Sequence, residues 1–249
     1  MSRIDSTYPR ITDVGLTGML VTFSDTLTEG ANRAALALRA RLSELEIEGV
    51  TETTTSLTST FVLYDPNILP RASLKEYFQN LLAQDWTEAA LPDGRRLWRI
   101  PAVFDDPKYA PQLQEAADLA GLSVPQAIES LCDVSLRVMT LGFAPGQPYL
   151  GSLGSKWDIP RQQGLTKQVP IGAITVAIRQ IVLFSTASPT GWRHVGQCAF
   201  RAFRPEQPDP FPLTPGDEIR FDPVSAADLA KAIAQDQTGD GGAKTEWLT

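Results

Sequence analysis

From Gly142 to Cys198, glycine and proline recur between short runs of β-branched and apolar residues. GFAPGQPYLGSLG is followed, after a gap, by IPRQQGLTKQVPIGAITVAIRQIVLFSTASPTGWRHVGQC. Such punctuation leaves no room for long helices and forces the backbone through successive tight turns. The β-type runs of this half, at 136–141, 174–178, 181–184, 198–203 and 218–221, are all short. Many short strands separated in this way predict a closed or nearly closed β-barrel. The same turns bring polar side chains and bare amides close together, which makes a surface able to hold a small polar ligand.

The N-terminal part has a different rhythm. A strand is predicted over 11–23, followed by a helix whose apolar face carries Ala31, Ala34, Leu38, Leu42 and Leu45 at three- and four-residue spacing. A second strand over 52–64 ends at Asp65 and Pro66. Ser73 with Glu76 then has the form of a capping box, ahead of a helical face of Leu74, Tyr77, Phe78, Leu81 and Leu82. With the Asp93-Gly94 turn and a strand over 96–104, this makes a small α+β scaffold. Two helices are predicted over 113–132, the first ended by Gly121 and the second started by Ser123 and Pro125. The fold class is therefore α+β: an N-terminal α+β domain over 1–97, a barrel domain over 98–224, and a tail over 225–249. The tail is read as a helix capped by Ser225, then a mobile polar run, DQTGDGGAKTE.

Composition narrows the function classes. The 249 residues are 43% hydrophobic and 20% charged, an ordinary balance for a globular protein, with a net charge of -7. An acidic chain without clustered lysine and arginine is unsuited to nucleic-acid backbones and gains nothing from anionic lipid. MSRIDSTYPR has no apolar leader run and no stretch reaches membrane-spanning length, so a cytoplasmic protein is expected. The two cysteines, Cys132 and Cys198, have no metal-ligand spacing and read as buried thiols. His194 is the only histidine, so a two-imidazole zinc site is not available within one chain and no metal site is expected.

The candidate chemistry lies among the glycine-rich turns. Arg161, Lys167, Arg179 and Arg193 interleave with them. A guanidinium fork suits carboxylate or phosphate and an ammonium offers a compact charge, although residues of these types also sit on solvated turns. Tyr149 and Trp192 pack with one polar edge available for a ligand. Gln180 can read an amide with both its donor and its acceptor, or simply brace a turn. Gly146 and Gly191 serve backbone conformation, exposed amides for an anion, or both. Ser188 and His194 are of the types a nucleophile and base need, but spacing alone does not make a triad. No phosphate-loop or dinucleotide fingerprint occurs.

A pattern of positions resembles a known family. Gly142, Phe143, Pro145, Gly146, Tyr149, Leu150 and Gly151 match G-F-x-P-G-F-x-Y-L-G. Pro160-Arg161 matches P-R, and Val169, Pro170 and Gly172 match V-P-x-G. Gln180, then Ser188, Pro189, Gly191, Trp192 and Gly196, match the motifs beyond. These motifs are similar to those of the allophanate hydrolase subunit 1 family, also called the KipI or carboxyltransferase-domain family, which includes the B-type component of bacterial ATP-dependent 5-oxoprolinase. The resemblance covers roughly residues 11–224 and implies a cyclophilin-like barrel.

It also implies one component of an ATP-dependent amidohydrolase, in which ATP is the cofactor and the partners are a homologous larger subunit of the C type and a separate A-type subunit. Arg161 and Lys167 would be catalytic, stabilising developing charge. Pro145, Gly146, Tyr149, Gln180, Ser188, Gly191, Trp192 and His194 would contact a small anionic or amide substrate. Alternatives the resemblance leaves open are a non-catalytic regulator like the KipI inhibitor of a histidine kinase and a carboxyltransferase component of a urea or allophanate pathway. The pattern is broken where its second P-R becomes Leu165-Thr166, its Q-T becomes Gln180-Ile181, and its G-G-W becomes Thr190-Gly191-Trp192.

Overall fold

The computed structural model describes residues 8–248, so most of the N-terminal run MSRIDSTYPR lies outside the described residues. Two compact units, residues 1–93 and 94–249, divide the chain. The boundary thus falls before β5 (Arg96–Val103), whereas the sequence pattern places it at 97/98, inside that strand.

In the first unit, β1 (Arg10–Val14) and β2 (Gly18–Thr22) form a hairpin. They are followed by α1 (Glu29–Leu45), a second hairpin of β3 (Val50–Ser56) and β4 (Ser59–Tyr64), and α2 (Arg71–Leu81). The sheet order is β1-β2-β4-β3. Each of the two long strands predicted from sequence is therefore a pair, because the chain reverses at 15–17 and again at 57–58. The second reversal places Leu57 at φ 50, a conformation that no glycine announces. The apolar face of α1 is buried as its spacing requires, and Met19, Val21, Leu38, Leu42, Val62, Leu74 and Phe78 form one core. Thr28 caps α1 by accepting from the Ala31 amide. Helix α2 starts behind Pro70 without a side-chain cap, so the expected Ser73–Glu76 capping box does not form.

The second unit is built around a barrel. After β5 come α3 (Leu113–Ala120), α4 (Val124–Cys132), β6 (Leu136–Leu141), β7 (Pro148–Gly151), β8 (Thr166–Val169), β9 (Ala173–Ala177), β10 (Gln180–Leu183), β11 (Ser188–Thr190), β12 (Arg193–Cys198), β13 (Glu218–Pro223), α5 (Ala226–Gln235) and β14 (Lys244–Trp247). Seven strands run in the order β12-β9-β10-β7-β6-β13-β5, and β5 closes the circle by pairing antiparallel with β12. The helix punctuation holds: Gly121 ends α3 in the left-handed conformation, and Ser123 and Gln126 make a reciprocal capping box with proline in the first turn of α4. The run expected as a strand over 198–203 is instead the exit from β12, whose five residues before Cys198 include four that the strand pattern passes over, Arg193, His194, Gly196 and Gln197.

Alternation along each strand divides the barrel wall into two faces. Ile100, Val138, Leu150, Ile174, Val176, Ile181, Leu183, Val195, Ile219 and Phe221 point into one core, to which α3 adds Leu113, Ala116 and Ala117 and α4 adds Ala127 and Leu131. Burying each large side chain of this set contributes roughly 1.5–3 kcal/mol. The thiols of Cys132 and Cys198 are buried and free, and burial pushes both up to about 12. They are packing groups rather than nucleophiles. The opposite face of β9, β10 and β12 carries a second, smaller cluster of Val169, Ala173, Ala177, Val182, Phe184 and Trp192, with Tyr149 packed against it. The β8–β11 pair stands apart from the barrel sheet.

The tail forms a turn and a strand. Asp236 accepts the backbone amides of Thr238, Gly239 and Gly241 at 3.0 Å each, which winds the glycine-rich run into a turn. Strand β14 then pairs antiparallel with β5, extending the barrel sheet. The run that the sequence reads as mobile thus takes up a turn and a strand, since an aspartate followed by glycines is also what a tight Asx-type turn needs.

Candidate functional site

The smaller cluster lines a cleft of about 420 Å³ on the outer wall of the barrel. Its aromatic walls follow from register. Val182 lies directly opposite Tyr149 across the β10–β7 ladder, and Phe184 lies two residues further along the same face. Trp192, at the entrance to β12, sets its indole against the Tyr149 ring with centroids 6.1 Å apart and planes at 79°, an edge-on arrangement. Phe143, Gln147, Arg161, Leu165, Pro189, Thr190 and Gly191 complete the lining.

The backbone on either side of Arg161 is held by its neighbours. Arg193 donates to the Pro160 carbonyl at 2.5 Å and pairs with Glu115 at 2.9 Å. The Gln162 amide donates to the Gly191 carbonyl at 2.7 Å, and the Gln162 side chain donates to the Trp192 carbonyl at 2.9 Å. Both flanks of Arg161 are thereby tied to the β11–β12 segment. Its guanidinium comes so close to Gly191 that a Cβ built there would lie 3.6 Å from Nε and Nη2. Among the described residues no carboxylate or carbonyl pairs with the Arg161 guanidinium, which stands exposed at the cleft with its full donor set available.

The structure brings together Tyr149, Arg161, Gly191 and Trp192 from the predicted set, and Pro189 stands beside them. Other candidates lie elsewhere. Lys167 is exposed on β8 and does not line the cleft. Pro145 is exposed and also outside it. Gly146 faces the chain, not a ligand: at φ 65, a Cβ there would run into the Ala202 carbonyl. Gln180 is buried on the same face as Val182, one pleat along and beyond the cleft, with Nε2 unpartnered. Arg179 closes the β9–β10 turn and donates to the Leu153 carbonyl at 3.0 Å. Arg193 is consumed by Glu115 and Pro160, so its role is to position Arg161.

Ser188 and His194 do not form a dyad. The Ser188 hydroxyl meets that of Thr186 at 3.1 Å, while His194 Nε2 is buried without a hydrogen-bond partner. Burial lowers the His194 pKa from 6.5, opposed by the Gly196 backbone and the Gln197 side chain. The sign follows directly: with the folded value depressed, the unfolded chain binds the proton more readily, so stability is lost as pH falls through the unfolded value of 6.5. Because this is the only histidine, the effect is isolable. Urea midpoints should fall between about pH 7 and about pH 5.5, and His194→Gln should remove most of that slope. A wild-type midpoint that rises on acidification contradicts the assignment.

Sequence reasoning missed Phe143, Gln147 and Leu165. The first was visible as a motif residue and the third as the substitute in a broken P-R. Gln147 stands where the motif G-F-x-P-G-F has its second phenylalanine, and that exchange of an apolar ring for an amide was the available signal. Among the described residues no group of three or more histidine, cysteine, aspartate or glutamate side chains is arranged to hold a metal ion, and no helix is long and apolar enough to cross a membrane.

The second unit is a closed barrel with an aromatic cleft on its outer wall and, at the cleft, an exposed guanidinium without a protein partner among the described residues. The family model of the carboxyltransferase domain, subdomain C and D, matches residues 9–213, and the chain belongs to that family. It is 28% identical over 229 residues to the B subunit of 5-oxoprolinase from Bacillus subtilis (strain 168), covering 88% of this chain and 94% of the relative. It is 30% identical over 212 residues to the B subunit of 5-oxoprolinase from Escherichia coli O157:H7, covering 84% and 94%. Among solved structures it is similar to the crystal structure of TTHA0988, with a TM-score of 0.69 and 29% identity. That match covers 84% of this chain and 40% of the longer one.

Proposed function

We propose that this chain is the B-type component of an ATP-dependent amide-cleaving complex, acting on 5-oxoproline or a close relative together with a homologous larger subunit of the C type and a separate A-type subunit. The observation that carries the reading is the unpaired Arg161 guanidinium at the cleft lined by Tyr149 and Trp192. A guanidinium without a protein partner, carried on a backbone fixed at both flanks, is available to a substrate carboxylate, and the aromatic walls cover the apolar face of a small ring. The names of the relatives from Bacillus subtilis and Escherichia coli support the same assignment.

The reaction is 5-oxoproline plus ATP and water giving glutamate, ADP and phosphate. A lactam carbonyl is a poor electrophile, and ATP supplies its activation by phosphorylation. The cleft itself does not suit ATP. One unengaged guanidinium does not balance a triphosphate, Lys167 is outside the lining, and no glycine-rich phosphate loop is present. In this reading the chain's residues bind and orient: Arg161 holds the carboxylate, Tyr149 and Trp192 fix the ring, and the partner subunits engage ATP. The assay is glutamate release by this chain co-purified with C-type and A-type subunits. Substrate-dependent ATP turnover is expected in the assembly and not in the isolated chain; an assembly that forms and shows none contradicts the reading.

The alternative of a KipI-like regulator draws on one feature. Phe143 and Leu165 stand 78% and 69% exposed at the cleft rim, which fits a peptide segment laid across it. Capture of a sensor kinase without the C-type subunit, in pull-downs from the protein's own cell, favours that reading over the enzymatic one.

A further inference from the structure

Strand β14 ends the barrel sheet, and among the described residues no strand pairs with its far side. It runs antiparallel to β5, with Lys244 opposite Arg99 and Glu246 opposite Leu97. In the same register the Leu248 amide donates to the Arg95 carbonyl at 2.9 Å. Hydrogen-bonding residues alternate along an antiparallel ladder, so Lys244, Glu246 and Leu248 turn their backbone groups toward β5, while those of Thr245 and Trp247 point outward. All four residues of the strand are exposed, Trp247 to 73%. A strand edge in this state is a template for another strand. Lysine alone guards such an edge, but here Glu246 lies on the same face two residues after Lys244, and the pattern becomes self-complementary.

We propose that this edge pairs with the same edge of a second copy of the chain, joining two barrel sheets across a two-fold axis at Thr245. Outward-facing residues must meet outward-facing residues, so within the strand the axis falls at one of its four residues. An axis at Lys244 sets the two ammonium groups against each other, and an axis at Glu246 does the same with the two carboxylates. Side chains approach most closely in such non-hydrogen-bonded pairs, and like charges there oppose association. An axis at Trp247 leaves both charges unpaired. An axis at Thr245 places Lys244 of each copy opposite Glu246 of the other, while the two Thr245 residues exchange their backbone hydrogen bonds. Among the described residues neither Lys244 nor Glu246 has an ion-pair partner within the chain, and both are exposed. On the opposite face, Trp247 falls diagonal to Thr245 of the other copy, within reach of an aromatic side chain. Charge pattern, backbone alternation and exposed ring thus select one occupant.

Charge exchange tests the register. Analytical ultracentrifugation of the full chain should show a dimer whose share grows with concentration. Lys244→Glu sets carboxylates against carboxylates and Glu246→Lys sets ammonium groups against ammonium groups, so each alone should weaken dimerisation by about 10- to 100-fold. An equimolar mixture of these two variants should associate again, because every cross-strand pair is then opposite in sign. The double exchange, Lys244→Glu with Glu246→Lys, should dimerise like the wild type for the same reason. Thr245→Pro removes an outward amide without touching the β5 ladder and should leave a monomer, with melting curves confirming that each variant is folded. Any one of four results overturns the proposal: a wild type that is monomeric at every concentration, single exchanges that dimerise as well as the wild type, a dimer that survives Thr245→Pro, or single-exchange variants that stay apart when mixed. The outcome is independent of the proposed activity, since none of these residues lines the cleft.

Discussion

Replacing Arg161 with methionine should raise the KM for 5-oxoproline of the assembled complex by about 100-fold while changing kcat little. A bidentate charge-assisted contact is worth about 3 kcal/mol, which is roughly two decades in affinity. The effect belongs in KM because the carboxylate is bound alike before and during carbonyl chemistry, and interactions common to ground and transition state set binding rather than turnover. Arg161→Lys should recover part of the loss, since an ammonium restores charge without the planar fork. Lys167 cannot substitute from outside the lining. The fold should survive the change, because no protein group depends on the guanidinium for a partner. Steady-state kinetics with melting curves on each variant check this. An unchanged KM, or a loss confined to kcat, contradicts a carboxylate-binding role.

The second large effect is structural. Gly172 has φ 78, and a Cβ there would run into the Cys198 carbonyl and lie 2.8 Å from Gln197 Nε2. Its own amide donates to the Phe184 carbonyl at 2.8 Å, and its carbonyl accepts from Cys198 at 3.0 Å, so it ties the start of β9 to the ends of β10 and β12. Neither the glycine nor the carbonyl it faces can move without breaking that junction. Gly172→Ala should therefore cost about 3 kcal/mol, combining left-handed strain with overpacking, and lower Tm by about 10 °C for a unit of this size. Gly154→Ala, where nothing lies within 4 Å of the added carbon, should be nearly neutral and serves as the control. A Gly172→Ala variant that melts with the wild type would show that the junction is not constrained as described.

What the sequence disclosed depended on whether a feature was local. The ends of α3 and α4 were legible because Gly121, Ser123, Pro125 and Gln126 act within one turn of themselves. The hairpins of the first unit were not, since their reversals at 15–17 and at Leu57 carry no two-residue Asn-Gly or Asp-Gly signal. Strand β12 escaped notice because Arg193, His194 and Gln197 look like loop residues. They are buried, and Arg193 and Gln197 are placed by partners distant in sequence, Glu115 with Pro160 and the Ile171 carbonyl. Barrel closure between β12 and β5 joins Gln197 to Val103 and Cys198 to Ala102, pairs so far apart in the chain that no periodicity encodes them.

The site divides along the same line. Arg161 and Trp192 were readable because their motifs place both on turns that converge. Lys167 is near Arg161 in sequence, yet it stands on the exposed face of a separate ribbon. Gly146 and Gln180 entered the substrate set through the family resemblance, whereas a Cβ on the first would run into the Ala202 carbonyl and the second lies outside the cleft lining. The exchange of the motif's second phenylalanine for Gln147 was visible in the sequence, whereas its burial with Oε1 unpartnered is a property of the folded chain alone.

The central proposal is that the cleft on the outer wall of the barrel, lined by Tyr149 and Trp192, receives a small carboxylate on Arg161. A crystal structure of the chain grown with 5-oxoproline tests it directly. The account predicts the ring packed against the edge-on Tyr149–Trp192 pair, with its carboxylate on the Arg161 guanidinium. A ligand bound elsewhere on the molecule, or in the cleft with its carboxylate turned away from Arg161, would contradict it.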